Sequence, residues 1–371
     1  MAKAFGIIKA ATNRYIVEGL QNYRPAASFS FAGRFRLIDF PVSNMSNSGI
    51  DRILVYISGN PRSLCEHLGT GSNYNINSKR GKLQVLFHEE GNNNPIYNTD
   101  VAKFMETLGI IEKVQQDYVV IAPSNMVYVC NYDELLEKHI ESGADITLLY
   151  HRVESAKDDY LGCNIVSLNR QKGVLSITPN EGNLKERNVF MDTYVMKKEL
   201  FIELVKKAAS ISSIYHFSQI VSDECANLDV RGIQHKGYFA AITSFKTYFD
   251  SCLALTDINE AASLFKPDWP IYTSTSDACP TQYFKGSSVR NSLIANGCSI
   301  EGSVENSVFG RGINIGKDAV IKNCVILSYA DIGPGVHLEN QVVDKWVKIR
   351  RAKEIIASPD APGYIRRDDV L

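Results

Sequence analysis

The sequence predicts an α/β domain with a mostly parallel, doubly wound sheet, followed by a parallel β-helix of hexapeptide repeats. Two observations carry this. Over residues 1–250, short apolar runs alternate with helical patterns, the rhythm of crossover-connected strands. From Ser288 onward aliphatic residues recur every six positions, a period that fits neither a helix at ~3.6 nor an open strand at ~2.

The elements follow in order. Ala4–Ile8, Ile53–Ile57, Tyr118–Ala122 and Ile146–Tyr150 are continuous apolar runs and read as buried strands. Asp100–Gln115 carries Val101, Met105, Leu108, Ile111 and Val114 near helical spacing and reads as one helix. Tyr132–Ser142 reads as another, with Asn131 as its N-cap. Gly71–Asn98 is polar and rich in Asn and Gly, so Lys82–Phe87 is expected as a strand between long surface loops. Residues 251–285 are expected to connect the domains, with one closing helix over Phe245–Ala262 and a linker at Lys266–Pro280, which holds three prolines. Right-handed crossovers would give the doubly wound sheet.

Residues 286–371 form the second domain. Ile294 and Ile300 stand six apart, as do Ile315, Ile321 and Leu327, and again Ile332 and Leu338. Four positions after them come Cys298, Val304, Ala319, Val325, Val336 and Val342, and Gly316 and Gly333 directly follow an isoleucine. One aliphatic and one smaller inward position per six residues is the hexapeptide signature, and such coils must stack to bury their ladder. The frame slips between Asn306 and Ile315 and again before Ile332, which predicts loops at corners. A hexapeptide coil can host an acyltransferase, but that needs a histidine base, and His337 stands alone in the repeat; it reads as structural.

Composition sets outer limits. The 371 residues suffice for two domains with proper cores. A net charge of −1 carries no nucleic-acid or membrane footprint, and no apolar run reaches the ~20 residues that cross a bilayer. The N-terminal Met1–Lys9 run reads as a first strand rather than a signal peptide. Eight scattered cysteines without CxxC spacing predict free thiols in a reducing cytoplasm, and the seven histidines do not cluster with carboxylates at metal spacing.

The stretch Phe31–Ile50, around Arg34-Phe-Arg-Leu-Ile-Asp-Phe40, resembles the segment after the nucleotide loop of sugar-phosphate nucleotidyltransferases, that of glucose-1-phosphate adenylyltransferase in particular. Ile121–Tyr128, Gly143–Tyr150 and the coils Asn291–Leu338 extend the resemblance over nearly the whole chain. It implies a Rossmann-like nucleotidyltransferase domain joined to a left-handed β-helix. That family transfers the adenylyl group of ATP to glucose 1-phosphate and releases pyrophosphate. The chemistry is mostly positioning and charge stabilisation, so it needs bare backbone on the phosphates, an Arg and a Lys, and two metal-holding aspartates.

Each requirement fails on this chain. The family's G-G-x-G-x-R-L loop falls on Ala11–Val17, with Ile16 in place of the arginine. Its Lys-Pro falls on Ala26-Ala27. Its first metal aspartate falls on Asn125 and its second on Ala241, while its sugar-binding Glu-Lys-Pro falls near Pro179–Glu181. The resemblance therefore implies a degenerate site at Asn125, Ala241 and Ala26, with no catalytic residue and no cofactor in this chain, and Mg²⁺ in a catalytic partner. Within the family a non-catalytic, regulatory D-type subunit partners a catalytic C-type subunit, and this chain resembles the D-type. A cytoplasmic heterotetramer is then expected, acting on no nucleic acid and no membrane.

The family's sugar-phosphate effectors bind between the domains, near the position of Arg34. This makes Arg34 the leading effector candidate, with Arg24 and Arg36 beside it. Asp39 reads as a cap or a partner of Arg36 or Arg52, and Asp133 and Asp192 as exposed acids beside helical starts. The charged tail, Lys348–Lys353 and Arg366–Asp369, reads as solvated or interface surface. Two other readings stay open. One is an active transferase in which Asn125, Thr12 or Arg14 replace the missing groups; the other is a β-helix scaffold unrelated to sugar nucleotides.

Overall fold

The computed structural model describes residues 3–11, 15–76, 79, 81–87 and 97–371. Thr12 and Arg14, and much of the polar stretch after Phe87, lie outside the described residues.

The first domain runs β1 (Ala4–Lys9), β2 (Ser30–Phe31), β3 (Phe35–Arg36), α1 (Asp39–Asn47), β4 (Arg52–Ile57), α2 (Arg62–Leu68), β5 (Lys82–Phe87), α3 (Asp100–Glu106), α4 (Leu108–Glu112) and β6 (Tyr118–Pro123). It continues through β7 (Met126–Tyr128), α5 (Tyr132–Ser142), β8 (Ile146–Val153), β9 (Asn164–Leu168), β10 (Val174–Pro179), β11 (Arg187–Lys197) and α6 (Lys198–Ile211). The last elements are α7 (Phe217–Asp223), β12 (Val230–His235), β13 (Phe239–Ala241), α8 (Phe245–Ala254) and α9 (Ile258–Leu264).

β5, β4, β1 and β6 lie side by side and parallel. β11 then enters antiparallel to β6 and to β8, and β12 closes that edge parallel to β8. Alternation across the pleat divides the core: Ala4 and Ile8 of β1 face one cluster, Phe5 and Ile7 the other. The four predicted strands and the Asn131 cap are present; the Asn131 side chain accepts from the backbone N–H of Asp133 and Glu134.

Two predicted helices are each broken in two. Thr107 ends α3 and starts α4, its hydroxyl hydrogen-bonded to Lys103 O at 2.9 Å and to the Tyr56 hydroxyl at 2.5 Å. A side chain that ties the chain to a strand competes with the helical ladder, and the register turns: Phe104 is buried and Met105 exposed. Likewise Asp257 caps α9 and separates it from α8.

The second domain is a parallel β-helix of three five-stranded sheets, its first strand at Gln282–Tyr283 inside the predicted connection. Ile300, Ile315, Ile332 and Ile349 stack in one ladder and Val304, Ile321, Leu338 and Ile355 in the next. The third ladder is Phe309, Ile326, Val343 and Ile365. Leu327, Val325 and Val342, predicted to point inward, instead face the first domain. The reason is a shortened corner, where Asn306, Asn323 and Asn340 turn at φ of 47°, 47° and 55°. Their amides form a ladder, Asn306 to Asn323 at 3.4 Å, Asn323 to Asn340 at 3.2 Å and Asn340 to Ala357 O at 2.7 Å. Short polar side chains tolerate the left-handed conformation that this corner needs.

The domains share one cluster, in which Phe29, Phe31, Tyr248 and Phe249 pack against Val325, Leu327 and Val342. Gly33, at φ 77°, meets the second domain so closely that a Cβ would lie 2.5 Å from Phe309 O.

Candidate functional site

The site lies at the ends of β1 and β6 and midway along β11. Lys9 closes β1, and its ammonium contacts Asp192 at 2.7 Å and Asp100, the first residue of α3, at 3.0 Å. The three side chains are only 4%, 9% and 16% exposed (Lys9, Asp100 and Asp192 in turn). Burial pulls the Lys9 pKa down, but the two carboxylates outweigh it and hold the amine charged. Burial alone would raise Asp100; Lys9 and His216 overcome it and hold the carboxyl far below the usual range. Phe217 N–H also donates to Asp100 at 3.0 Å. The cavity bordered by Lys9, Ala10, Tyr56, Asp100 and His216 measures about 10 Å³, room for roughly one water. Asp192 is therefore no exposed acid beside a helix: it stands in β11 at φ 49°, where the register against β8 shifts, and grips Lys9.

The structure brings Asn125 and Ala241 together. β7 and β13 pair antiparallel with Met126 opposite Ala241, and Ile242 N–H donates to Asn125 O at 2.9 Å. The Asn125 amide turns back on this pair and donates to Ile242 O at 3.1 Å. Both side chains are buried, and Ala241 presents only a methyl. A hard divalent cation requires oxygen ligands, several of them charged. The residues at these two positions do not fit one, and no cluster of three His, Cys, Asp or Glu side chains suited to a metal occurs among the described residues. Ala26 lies in a buried turn of the junction cluster. Asn180 is buried and donates to Ala156 O at 2.8 Å, while Glu181 is exposed. Ile16 is 62% exposed.

The candidate arginines part company. Arg24 is buried, with one nitrogen bonded to both carboxylate oxygens of Asp344 in the β-helix at 2.5 Å; the Tyr364 hydroxyl donates to the same carboxylate at 2.8 Å. Arg36 donates to Ser63 O at 2.6 Å. Arg34 is exposed and lies 4.7 Å over the Phe35 ring. Between the domains Lys345 joins Arg24 and Arg36; burial first, then these two cations, push its pKa down to about 7. Sequence reasoning missed Lys345 and Asp344, because their partners are more than 300 residues away in the chain.

Asp39, the first residue of α1, makes no cap bond to the helix; it meets Arg36 through the backbone, accepting Arg36 N–H at 2.8 Å. It also takes His67 at 2.6 Å and the Tyr74 hydroxyl at 2.7 Å, which the sequence did not signal. His337 stands between Glu339 and Glu354, at 3.7 and 3.6 Å.

Comparison with known proteins agrees with this architecture. Residues 19–237 match the nucleotidyl transferase family, and residues 280–362 match the GlmU-like C-terminal hexapeptide family. The glycogen biosynthesis protein GlgD of Geobacillus stearothermophilus is 32% identical over 86% of this chain and 83% of its own length. GlgD of Bacillus subtilis is 29% identical over 98% and 95%. Glucose-1-phosphate adenylyltransferase of Fervidobacterium nodosum is 26% identical over 92% and 83%. With one family spanning more than half of the sequence and these relatives aligned along nearly all of it, the chain belongs to the nucleotidyl transferases, in the glucose-1-phosphate adenylyltransferase group that includes GlgD.

Proposed function

We propose that this chain is a regulatory, catalytically inactive subunit of a glucose-1-phosphate adenylyltransferase in bacterial glycogen biosynthesis, assembled with a homologous catalytic subunit that supplies Mg²⁺ chemistry. One observation carries the reading. The two positions that face each other across β7 and β13 hold an amide turned onto the backbone and a methyl, so a phosphoryl-transfer metal finds no charged oxygen there. The Lys9 network supports it, because its ammonium is already neutralised by Asp100 and Asp192 rather than available to a phosphate.

Regulation follows from linkage: a subunit that binds its partner's active state preferentially shifts that state's population. The cluster of Arg36, Lys345 and Arg24 at the domain junction favours a phosphate-bearing effector there, with exposed Arg34 on the same chain segment. The test is to mix the chain with a catalytic homologue, follow co-elution, and titrate a sugar-phosphate activator. Co-elution with a ~5–150-fold change in turnover or activator affinity is expected. Separate elution with unaltered kinetics would remove the proposal.

A further inference from the structure

A cavity of about 370 Å³ opens at the Leu168 end of β9, bordered by Arg152 and by residues 165–168 and 186–188. No residue of the Lys9 network, the Asn125–Ala241 pair or the domain junction borders it. Its volume falls within the roughly 300–1,000 Å³ of small-molecule sites.

The strand ladder makes the opening. β9 pairs with β10 along its length, from Asn164 opposite Pro179 to Leu168 opposite Val174. Against β11 it is in register at a single point, Val189 opposite Ile165. Beyond that point the two strands part, while Arg187 and Asn188 stay paired with Val153 and Arg152 of β8. Neighbouring residues of a strand point to opposite faces of its sheet. Arg187 and Asn188 nevertheless both border the cavity, as do Val166 and Ser167, so the cavity is the wedge between the two strands.

The wedge presents donors without free acceptors. Arg187 is half-buried, its side chain makes no hydrogen bond or ion pair among the described residues, and its Nε is closed off from water. Buried polar atoms nearly always find a partner, so a guanidinium left without one beside an open cavity marks a missing acceptor. The Asn188 amide and the Ser167 hydroxyl, also half-buried, are likewise unpartnered among the described residues. The one carboxylate of the cavity, Glu186, is taken by Arg152 at 2.5 Å. That pair cancels and leaves the single charge of Arg187. Ile165 and Val166 are buried and, with Leu168, give the wedge an aliphatic wall.

These features select a ligand. One uncompensated guanidinium suits one carboxylate, and partial desolvation strengthens the contact. Glu186 at the rim penalises further negative charge, which disfavours nucleotides and sugar phosphates. We propose that this wedge binds a small organic monocarboxylate with an aliphatic body, its head on Arg187, Asn188 and Ser167 and its chain along Ile165, Val166 and Leu168. The site does not depend on the chain being a regulatory subunit, and its test uses the chain alone.

The experiment is calorimetric titration of the full chain with hexanoate, inorganic phosphate and hexylammonium, on wild type, Arg187→Met and Ser167→Asp. The Arg187 side chain bonds to nothing in the fold, so Arg187→Met should keep the wild-type melting temperature. Ser167→Asp leaves Arg187 in place and sets a carboxylate in the wedge as an internal competitor. Hexanoate should bind about tenfold or more tightly than phosphate or hexylammonium, and each variant should weaken it about tenfold, as for loss of a hydrogen-bonded charge pair. No heat with hexanoate up to about 10 mM, tighter binding of phosphate or hexylammonium, or an affinity for hexanoate unaltered in either variant would each overturn it.

Discussion

Replacing Arg24 by Met should loosen the joint between the two domains. Asp344 is fully buried, and both its oxygens lie 2.5 Å from one Arg24 nitrogen, with the Tyr364 hydroxyl at 2.8 Å and the Lys345 N–H at 2.7 Å as further partners. Without the guanidinium, two neutral donors remain to hold a buried carboxylate. Breaking such a pair from one side costs about 3–5 kcal/mol, whereas removing both charges together is often near neutral. The double variant Arg24→Met/Asp344→Leu should therefore be more stable than either single variant, and a double-mutant cycle should return a coupling of about 3 kcal/mol. Urea unfolding followed by fluorescence reads this, with one tryptophan left at a time in Trp269→Phe and Trp346→Phe backgrounds. Trp269 donates to Asn44 in the first domain, and Trp346 stacks on Tyr329 in the β-helix. Both signals should shift to lower urea together in Arg24→Met. A shift worth under about 1 kcal/mol, or a double variant as unstable as the two singles combined, would show that the pair does not hold the joint.

Three more expectations follow from the same geometry. Asn323→Ala breaks two rungs of the amide ladder and puts a side chain at φ 47°, so it should cost about 2–3 kcal/mol in thermal unfolding; Asn323→Gly should recover roughly 1–2 kcal/mol of that by relieving the backbone. Lys345, with a pKa near 7 against an ordinary 10.5, makes the fold less stable as pH falls from 10.5 toward 7; sulfate binding at pH 8 should therefore take up a proton, seen as buffer-dependent heat that Lys345→Met abolishes. His235 is held neutral by burial with its pKa lowered to about 4, so it contributes stability that is lost as pH falls from 6.5 toward 4. The loss is about 3 kcal/mol by linkage, and His235→Gln should flatten the chain's acid stability profile in that window.

The parts of this fold set by local chemistry were legible. The strands Tyr118–Pro123 and Ile146–Val153, the Asn131 cap and the six-residue ladder each depend on residues close together in sequence. The corner at Asn323 shows the limit: the aliphatic period gives the coil, but a one-residue shortening moved Leu327 from interior to junction, and only the repeated asparagines signal it. The site was half legible. The resemblance put Asn125 and Ala241 at one site, and the structure brings them side by side. The Lys9 network could not be read, because Lys9 meets Asp100 and Asp192 only when β1, α3 and β11 converge, and the Asp192 conformation depends on a register shift in a strand. Arg24, an effector candidate by sequence, is taken up by Asp344, which arrives from the last coils.

If Asn125 and Ala241 stand where the metal carboxylates would be, a cleft closed by the Lys9 ion network cannot carry adenylyl transfer. Pyrophosphate release from ATP, glucose 1-phosphate and Mg²⁺ by the purified chain alone, at high concentration, tests it most directly. Release no faster than the protein-free blank is expected. Turnover clearly above that blank, abolished by Asn125→Ala, would place a working metal site at the position assigned here to none.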